Sequence, residues 1–88
     1  MKVTLYIIRG ISSRKNYVGI TNDLKRRLNE HRNGTTKGGQ LIGDFELIYT
    51  EEFDDYLSAR KREVFLKSGK GRQWIKKNIV KTRPAVDV

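Results

Sequence analysis

Short runs of apolar, β-branched and aromatic residues, separated by polar turns, predict three β-strands in this chain. The first two, Lys2–Ile8 and Lys15–Ile20, are joined by a short connection, which favours an antiparallel hairpin. The third, Phe45–Thr50, alternates apolar and polar residues. Its apolar side chains are predicted to share one face: Phe45, Leu47 and Tyr49.

The pairing of the first two strands decides where two tyrosines lie. If Ile8 pairs with Lys15, Tyr6 lies opposite Tyr17 and both rings share one face of the sheet. A register slip of one residue would separate them, because neighbouring side chains on a strand point to opposite faces. Taken alone, the two tyrosines are ordinary strand aromatics.

Helical periodicity predicts three helices, at Leu24–Arg32, Tyr56–Lys67 and Arg72–Val80. Thr21-Asn22-Asp23 and Asp54-Asp55 supply N-cap chemistry before the first two. The predicted element order is therefore β-β-α-β-α-α.

Length and cysteine content limit the class of protein. A chain of 88 residues buries only about 60% of its unfolded surface, so we expect one domain at 1–80, followed by a flexible tail at 81–88. The chain has no cysteine, so packing must hold the fold without disulfides or a thiolate metal site. The apolar run Val3–Ile8 is too short for a signal sequence, and no segment has membrane-spanning length. We therefore expect a soluble cytoplasmic protein.

Positive charge is concentrated in the last third of the chain. The formal net charge is +9, and residues 60–83 hold ten Lys or Arg, with Glu63 as the one acid. This asymmetry favours a polyanionic partner such as nucleic acid; the alternative is a solvated basic face that keeps the protein soluble. A membrane surface is less favoured, because no helix pairs its lysines with a wide apolar face.

Two polar residues lean inward on the first predicted helix. Leu24 and Leu28 mark its buried stripe, His31 falls between them, and Arg27 lies at the edge of the stripe. His31 has a structural alternative, a helix residue packed beside the two leucines. The other charged residues of this helix are predicted to be solvated: Lys25, Arg26, Glu30 and Arg32.

A carboxylate interrupts the apolar stripe of the second predicted helix. Glu63 projects from the middle of that stripe, whose apolar members are Tyr56, Ala59 and Leu66. Burying a carboxylate is costly unless something binds it. Spacing alone favours a salt bridge, to Arg60 or Arg27, over a divalent cation.

In combination, these residues resemble the GIY-YIG nuclease superfamily, and in particular small single-domain bacterial proteins similar to the nuclease module of the excinuclease C subunit. The resemblance covers residues 4–78. It rests on the triplets Thr4-Leu5-Tyr6 and Tyr17-Val18-Gly19, the helices at 24–31 and 59–67, and Ser68-Gly69-Lys70-Gly71-Arg72 followed by Trp74-Ile75. It implies an α+β fold, a three-stranded antiparallel sheet flanked by helices, in agreement with the predicted element order.

The resemblance also implies roles for five residues. Arg27 matches the arginine that holds the scissile phosphate, a task that suits the planar fork of a guanidinium. Glu63 matches the single carboxylate that holds one divalent ion, Mg²⁺ or Mn²⁺. Tyr6, assisted by His31, is favoured over Tyr17 as the general base, although a tyrosine with a pKa of about 10 needs help to lose its proton. The second tyrosine would orient the site through its hydroxyl.

The activity implied is metal-dependent endonucleolytic hydrolysis of DNA, structure-selective or weakly specific, in repair, recombination or defence. The alternative on the same fold is a catalytically inactive module that binds DNA or RNA. Nothing in the chain resembles a sequence-reading module, so specificity would come from substrate structure or from a protein partner. Five cations are the candidate contacts to nucleic-acid phosphates: Arg60, Arg62, Lys67, Lys70 and Arg72.

The chain departs from the family pattern at three positions. Thr4 and Leu5 stand where the motif has Gly and Ile, and Ile20 stands where excinuclease relatives carry a lysine. Loss of that lysine predicts slow catalysis or an unusual substrate.

Two further residues are auxiliary candidates. Gly19 either relieves crowding at the end of its strand or lets substrate approach the tyrosines closely. Asn78 either matches a polar residue found late in the domain of some members or simply occupies a helix C-terminus.

Overall fold

The computed structural model describes residues 2–34, 36 and 42–79. The three strands form one antiparallel sheet in the order β2-β1-β3, which confirms the predicted α+β class and element order. The predicted tail at 81–88 lies outside the described residues. The elements are β1 (Val3–Gly10), β2 (Asn16–Thr21), α1 (Leu24–Arg32), β3 (Phe45–Phe53), α2 (Tyr56–Lys67) and α3 (Gly69–Asn78).

The sheet has a small core on each face, and the central strand β1 contributes to both. Its residues Leu5 and Ile7, together with Val18, pack against Leu66 of α2 and Ile75 of α3. Its even-numbered residues Tyr6 and Ile8 pack against Leu28 of α1 and against Ile42. Helix α1 therefore covers one face, and α2 and α3 cover the other.

The predicted pairing of β1 with β2 is wrong by two residues. Ile8 pairs with Tyr17, and Tyr6 pairs with Gly19. The shift arises because Gly10 continues β1 beneath Ile42 instead of ending it, and the Gly10 amide donates to the carbonyl of Lys15. An even shift keeps every side chain on its face, so the prediction that the two tyrosine rings share a face is confirmed.

The prediction that three apolar residues of β3 share a face is also wrong. Ile7 pairs with Tyr49 but Ile8 pairs with Leu47, so Ile48 forms a bulge. Phe45 packs on the α1 side, whereas Tyr49 packs on the α2 and α3 side. Leu47 is exposed.

Two of the three helices begin and end at the predicted residues. Asp23 and Asp55 cap α1 and α2 by accepting from the amides of Arg26 and Ser58. Helix α3 begins earlier than predicted because Ser68, which ends α2, also caps α3. None of the helices within the described ranges is both long enough and apolar enough to cross a bilayer.

Helices α2 and α3 approach so closely at Gly71 that a β-carbon there would overlap the backbone of Leu66. We expect Gly71→Ala to lower the free energy of unfolding by about 1–3 kcal/mol, measured by urea denaturation. Gly69→Ala is the matched control, because a β-carbon at that position meets nothing and alanine favours the helix. Equal stability of the two variants would contradict this account.

Candidate functional site

Three aromatic rings meet between the sheet and α1. Tyr6 and His31 are buried, and the hydroxyl of Tyr6 lies 2.7 Å from Nε2 of His31. The ring of Tyr17 is half-buried, with its centroid 5.2 Å from that of His31 and 6.4 Å from that of Tyr6. The strand pairing and the buried stripe of α1 thus bring together three residues that are far apart in the sequence.

Gly19 makes room for this arrangement. A β-carbon at Gly19 would lie 2.5 Å from the hydroxyl oxygen of Tyr6, because the ring of Tyr6 lies across its cross-strand partner. Of the two interpretations of this glycine, relief of crowding therefore has a direct structural basis, with the crowding coming from the tyrosine.

His31 is held at both ring nitrogens. Its Nδ1 lies 2.6 Å from Oγ1 of Thr36, while Nε2 faces Tyr6. Burial, with a further contribution from the positive charge of Arg27, lowers the pKa of His31 below its usual value. The shift favours the neutral ring, in which one of the two nitrogens carries no proton and can accept one.

Tyr6 holds its proton more firmly than a free tyrosine. Burial raises its pKa to about 12, even though a hydrogen bond with Arg27 acts in the opposite direction. Because a guanidinium only donates, the Tyr6 oxygen accepts from Arg27, and its own O–H is available to donate to Nε2 of His31. In this arrangement Nδ1–H of His31 donates to Thr36.

Arg27 is half-buried at the edge of the ring cluster, as its position on the helix predicted. Its Nη1 donates to Oε1 of Glu30 over 3.0 Å, one helical turn away. The hydrogen bonds with Tyr6 and, to a smaller extent, Glu30 raise the pKa of Arg27 and hold its fork beside the tyrosine hydroxyl. The site therefore has a permanent, oriented positive charge at its rim.

Glu63 approaches from the opposite side of the sheet. It is 7% exposed, and its charge is near enough to contribute to the raised pKa of Tyr6. Its Oε2 lies 3.1 Å from Nζ of Lys67, and its Oε1 lies 3.7 Å from Nη1 of Arg60. The predicted salt bridge to Arg60 is thus present and one to Lys67 is added; Arg27 pairs with Glu30.

Lys67 contacts both this carboxylate and Tyr17. Its ammonium lies 5.8 Å from the ring centroid of Tyr17, on the edge strand β2. The candidate site is therefore built around that edge, with the tyrosines and α1 on one side and Glu63 on the other.

Glu63 can serve as a single protein ligand of a divalent cation. Among the described residues, Oε1 of Glu63 is the buried side-chain polar atom that has no hydrogen-bond partner. The same part of the chain contains no cluster of three or more His, Cys, Asp or Glu suited to a metal. One carboxylate oxygen with the remaining positions left to water and phosphate suits Mg²⁺ or Mn²⁺ rather than a dedicated protein cage.

Comparison with known proteins agrees with this geometry. The sequence model of the GIY-YIG catalytic domain matches residues 2–78. The chain belongs to the GIY-YIG family. The resemblance predicted from the tyrosine triplets is confirmed, and the family is one of nucleases.

A solved structure shares this GIY-YIG fold. It is the solution NMR structure of a UPF0213 protein from Bacillus halodurans, to which this chain is 27% identical, with a TM-score of 0.56. The alignment covers 96% of this chain and 89% of that one. No curated protein matches the chain.

The predicted phosphate contacts of this GIY-YIG domain differ in position. Lys67 and Arg72 line a groove beside Tyr17, Lys70 is exposed at the start of α3, and Arg60 reaches toward Glu63. Arg62 instead makes contacts with other residues of the protein. It donates to Glu51 and stacks on the rings of Trp74 and Phe65.

Asn78 also lies apart from the site. Its Nδ2 donates to the carbonyl of Trp74, one turn back on α3. This bond supports the interpretation of Asn78 as a helix C-terminal residue.

Sequence reasoning missed three residues that support the site. Glu30 was predicted to be solvated, but it orients Arg27; the i,i+3 spacing of the pair on one helix was the available signal. Lys67 was predicted only as a phosphate contact, although its i,i+4 spacing from Glu63 favours an ion pair. Thr36 bonds His31 from beyond the end of α1, where periodicity gives no signal.

Proposed function

We propose that this protein is a divalent-metal-dependent endonuclease that hydrolyses DNA phosphodiester bonds. The observation that carries the proposal is the hydrogen bond between Tyr6 and neutral His31, set beside Arg27. This arrangement combines a proton acceptor and a fixed cation at one place. Phosphodiester hydrolysis needs both, because water must lose a proton while negative charge grows on the phosphate.

Arg27 binds the scissile phosphate. Its fork is held by Glu30 at one nitrogen, so its remaining donors can reach two phosphate oxygens without much loss of side-chain entropy. Lysine at this position would retain the positive charge but lose the planar fork that can donate to two phosphate oxygens at once.

Tyr6 and His31 act together as the general base. With a pKa of about 12, Tyr6 is almost entirely protonated at neutral pH and cannot act as a standing tyrosinate. It can accept the proton of the attacking water only as it passes its own proton to Nε2 of His31. Tyr17 closes the other side of the cluster and orients the water or the phosphate through its hydroxyl.

Glu63 would hold one Mg²⁺ or Mn²⁺ through Oε1, which has no hydrogen-bond partner and lies 3.7 Å from Nη1 of Arg60. Such an ion supplies charge stabilisation at the leaving oxygen of a phosphodiester. Glu63 itself contributes a negative charge that is fixed by α2 and largely shielded from water.

Substrate choice follows substrate structure more than base sequence. Cations such as Lys67 and Arg72 contact phosphates, and phosphate contacts carry no sequence information directly. We propose branched, flapped or otherwise distorted DNA as the substrate class, in cytoplasmic repair, recombination or defence, with a protein partner as the source of any further specificity.

Removal of the metal tests the proposal. We expect the protein to nick supercoiled plasmid or to cut flapped and branched DNA with Mg²⁺ or Mn²⁺, and expect excess chelator to stop the reaction, as measured by gel electrophoresis. Restoring the metal should restore cutting, which excludes irreversible unfolding as the cause of the loss.

The alternative, a binding module without catalysis, makes a different prediction. DNA or RNA would bind in a salt-dependent way, but no substrate would be cut with either metal. Cutting that persists in chelator would overturn the metal dependence while leaving the nuclease assignment intact.

A further inference from the structure

A groove of about 700 Å³ runs beside the edge strand β2 and past Tyr17 toward α3. Its lining includes five cations, and no acidic side chain of the described residues lines it. The cations come from β1, from the connection between β1 and β2, and from both helices of that face: Arg9, Lys15, Lys67, Arg72 and Lys76.

Lys67 lines this groove and has two partners beside it. Its ammonium pairs with Oε2 of Glu63 and lies over the ring of Tyr17. The side chain is 51% exposed, so it is free to turn on its long stem toward the groove.

The pairing of Lys67 with Glu63 opposes cation binding in the free protein. The lysine occupies one of the two carboxylate oxygens, and its positive charge repels a second cation beside it. A phosphate that enters the groove can replace Glu63 as the partner of Lys67, because the other cations of the groove raise the local concentration of phosphate.

Building on the proposed function, we infer that the groove binds the phosphate backbone next to the scissile bond, and that Lys67 exchanges Glu63 for one of those phosphates. Nucleic acid would then release the carboxylate for the metal. Coupling of this kind is reciprocal, so the metal would also favour nucleic-acid binding through the same lysine.

The test uses Lys67→Met and two equilibrium measurements that require no cleavage. In chelator, binding of a fluorescent flapped DNA duplex should weaken by about five-fold or more, and the slope of log Kd against log salt should fall by about one. Without DNA, Mn²⁺ binding, followed by calorimetry, should become about five-fold tighter or more. A lysine with a purely structural role would weaken both, because its loss would loosen the fold around Glu63.

Matched variants separate the groove from the exchange. Arg72→Ala should weaken DNA binding and leave Mn²⁺ binding unchanged, because Arg72 lines the groove without pairing to Glu63. Lys61→Met, an exposed lysine of the same helix outside the groove, should change neither, and Lys67→Arg should restore DNA binding in part. The inference is overturned if Lys67→Met matches Lys61→Met in DNA binding, or if it binds Mn²⁺ no more tightly than the unmodified protein. A protein that gives the expected binding pattern but never cuts DNA would overturn the endonuclease proposal alone.

Discussion

Replacing Glu63 with Gln is expected to reduce DNA cleavage by about 10³-fold or more, to the level seen in chelator. The change keeps the shape of the side chain and removes the charge that would hold the cation. The fold should tolerate it well. Oε1 has no hydrogen-bond donor to lose, and the partners Lys67 and Arg60 are more than half exposed and can be hydrated, so the free energy of unfolding should change by less than about 1 kcal/mol.

Single-turnover nicking of plasmid DNA and urea denaturation of the same samples measure the two effects. Glu46→Gln is the control, because this carboxylate is exposed on β3 and lies outside the candidate site. Cleavage by Glu63→Gln at the unmodified rate would remove this carboxylate from the mechanism. A large loss of stability would instead mean that the ion pairs of Glu63 within α2 stabilise that helix.

The helices could be predicted closely because their ends are set by local chemistry. Asp23 and Asp55 satisfy amides within three residues, and Asn33 with Gly34 ends α1, where the glycine adopts a positive φ. Each of these signals lies within one turn of the residue it affects. The start of α3 was missed because Ser68 performs two capping tasks at once.

The sheet was harder to predict because its details depend on distant contacts. A glycine at position 10 favours a turn, yet Ile42 packs over it and β1 continues. The bulge at Ile48 reverses which side Tyr49 faces, and its position is set by pairing with β1 across the sheet. Tyr56 was placed in the buried stripe of α2 by periodicity, but it is exposed.

The inward-facing residues of the site were predictable for a thermodynamic reason. A buried histidine and a buried carboxylate both carry a cost that a folded protein must offset, so His31 and Glu63 stood out against their apolar neighbours. What could not be predicted is which partners offset that cost. Threonine and lysine are common on protein surfaces, so nothing in the sequence marks Thr36 and Lys67. Only the fold shows that they contact His31 and Glu63.

The two sides of the edge strand β2 differ in how tightly their side chains are held. Tyr6 is locked between Gly19, His31 and the core, so its hydroxyl has one position. Lys67, on the other side of β2, is half exposed and shares its charge between two partners. Proton transfer benefits from the fixed geometry, whereas the entry of a charged strand benefits from cations that can move.

Replacing Tyr6 with Phe is expected to lower the single-turnover cleavage rate by about 10²–10⁴-fold, because the proposed proton path from water to His31 passes through its hydroxyl. The fold loses the buried hydrogen bond to His31 and the bond that Tyr6 accepts from Arg27. Leaving the buried partner unpaired costs about 1–3 kcal/mol, so the variant should remain folded at room temperature. Tyr17→Phe should cost less, since its ring packs against His31 at 5.2 Å without lying in that path. The reverse order of the two variants would make Tyr17 the base.

The coupling of Tyr6 to His31 can be measured by adding His31→Gln to Tyr6→Phe. If the two residues form one base, the double variant should be no slower than the slower single variant, whereas independent roles would multiply the losses. The pH profile gives a second test. Cleavage by the unmodified protein should fall as pH drops through the lowered pKa of His31, because a protonated Nε2 cannot accept from Tyr6, and His31→Gln should abolish that acidic limb. An acidic limb that persists in His31→Gln would place the titrating group elsewhere and leave His31 as a packing residue.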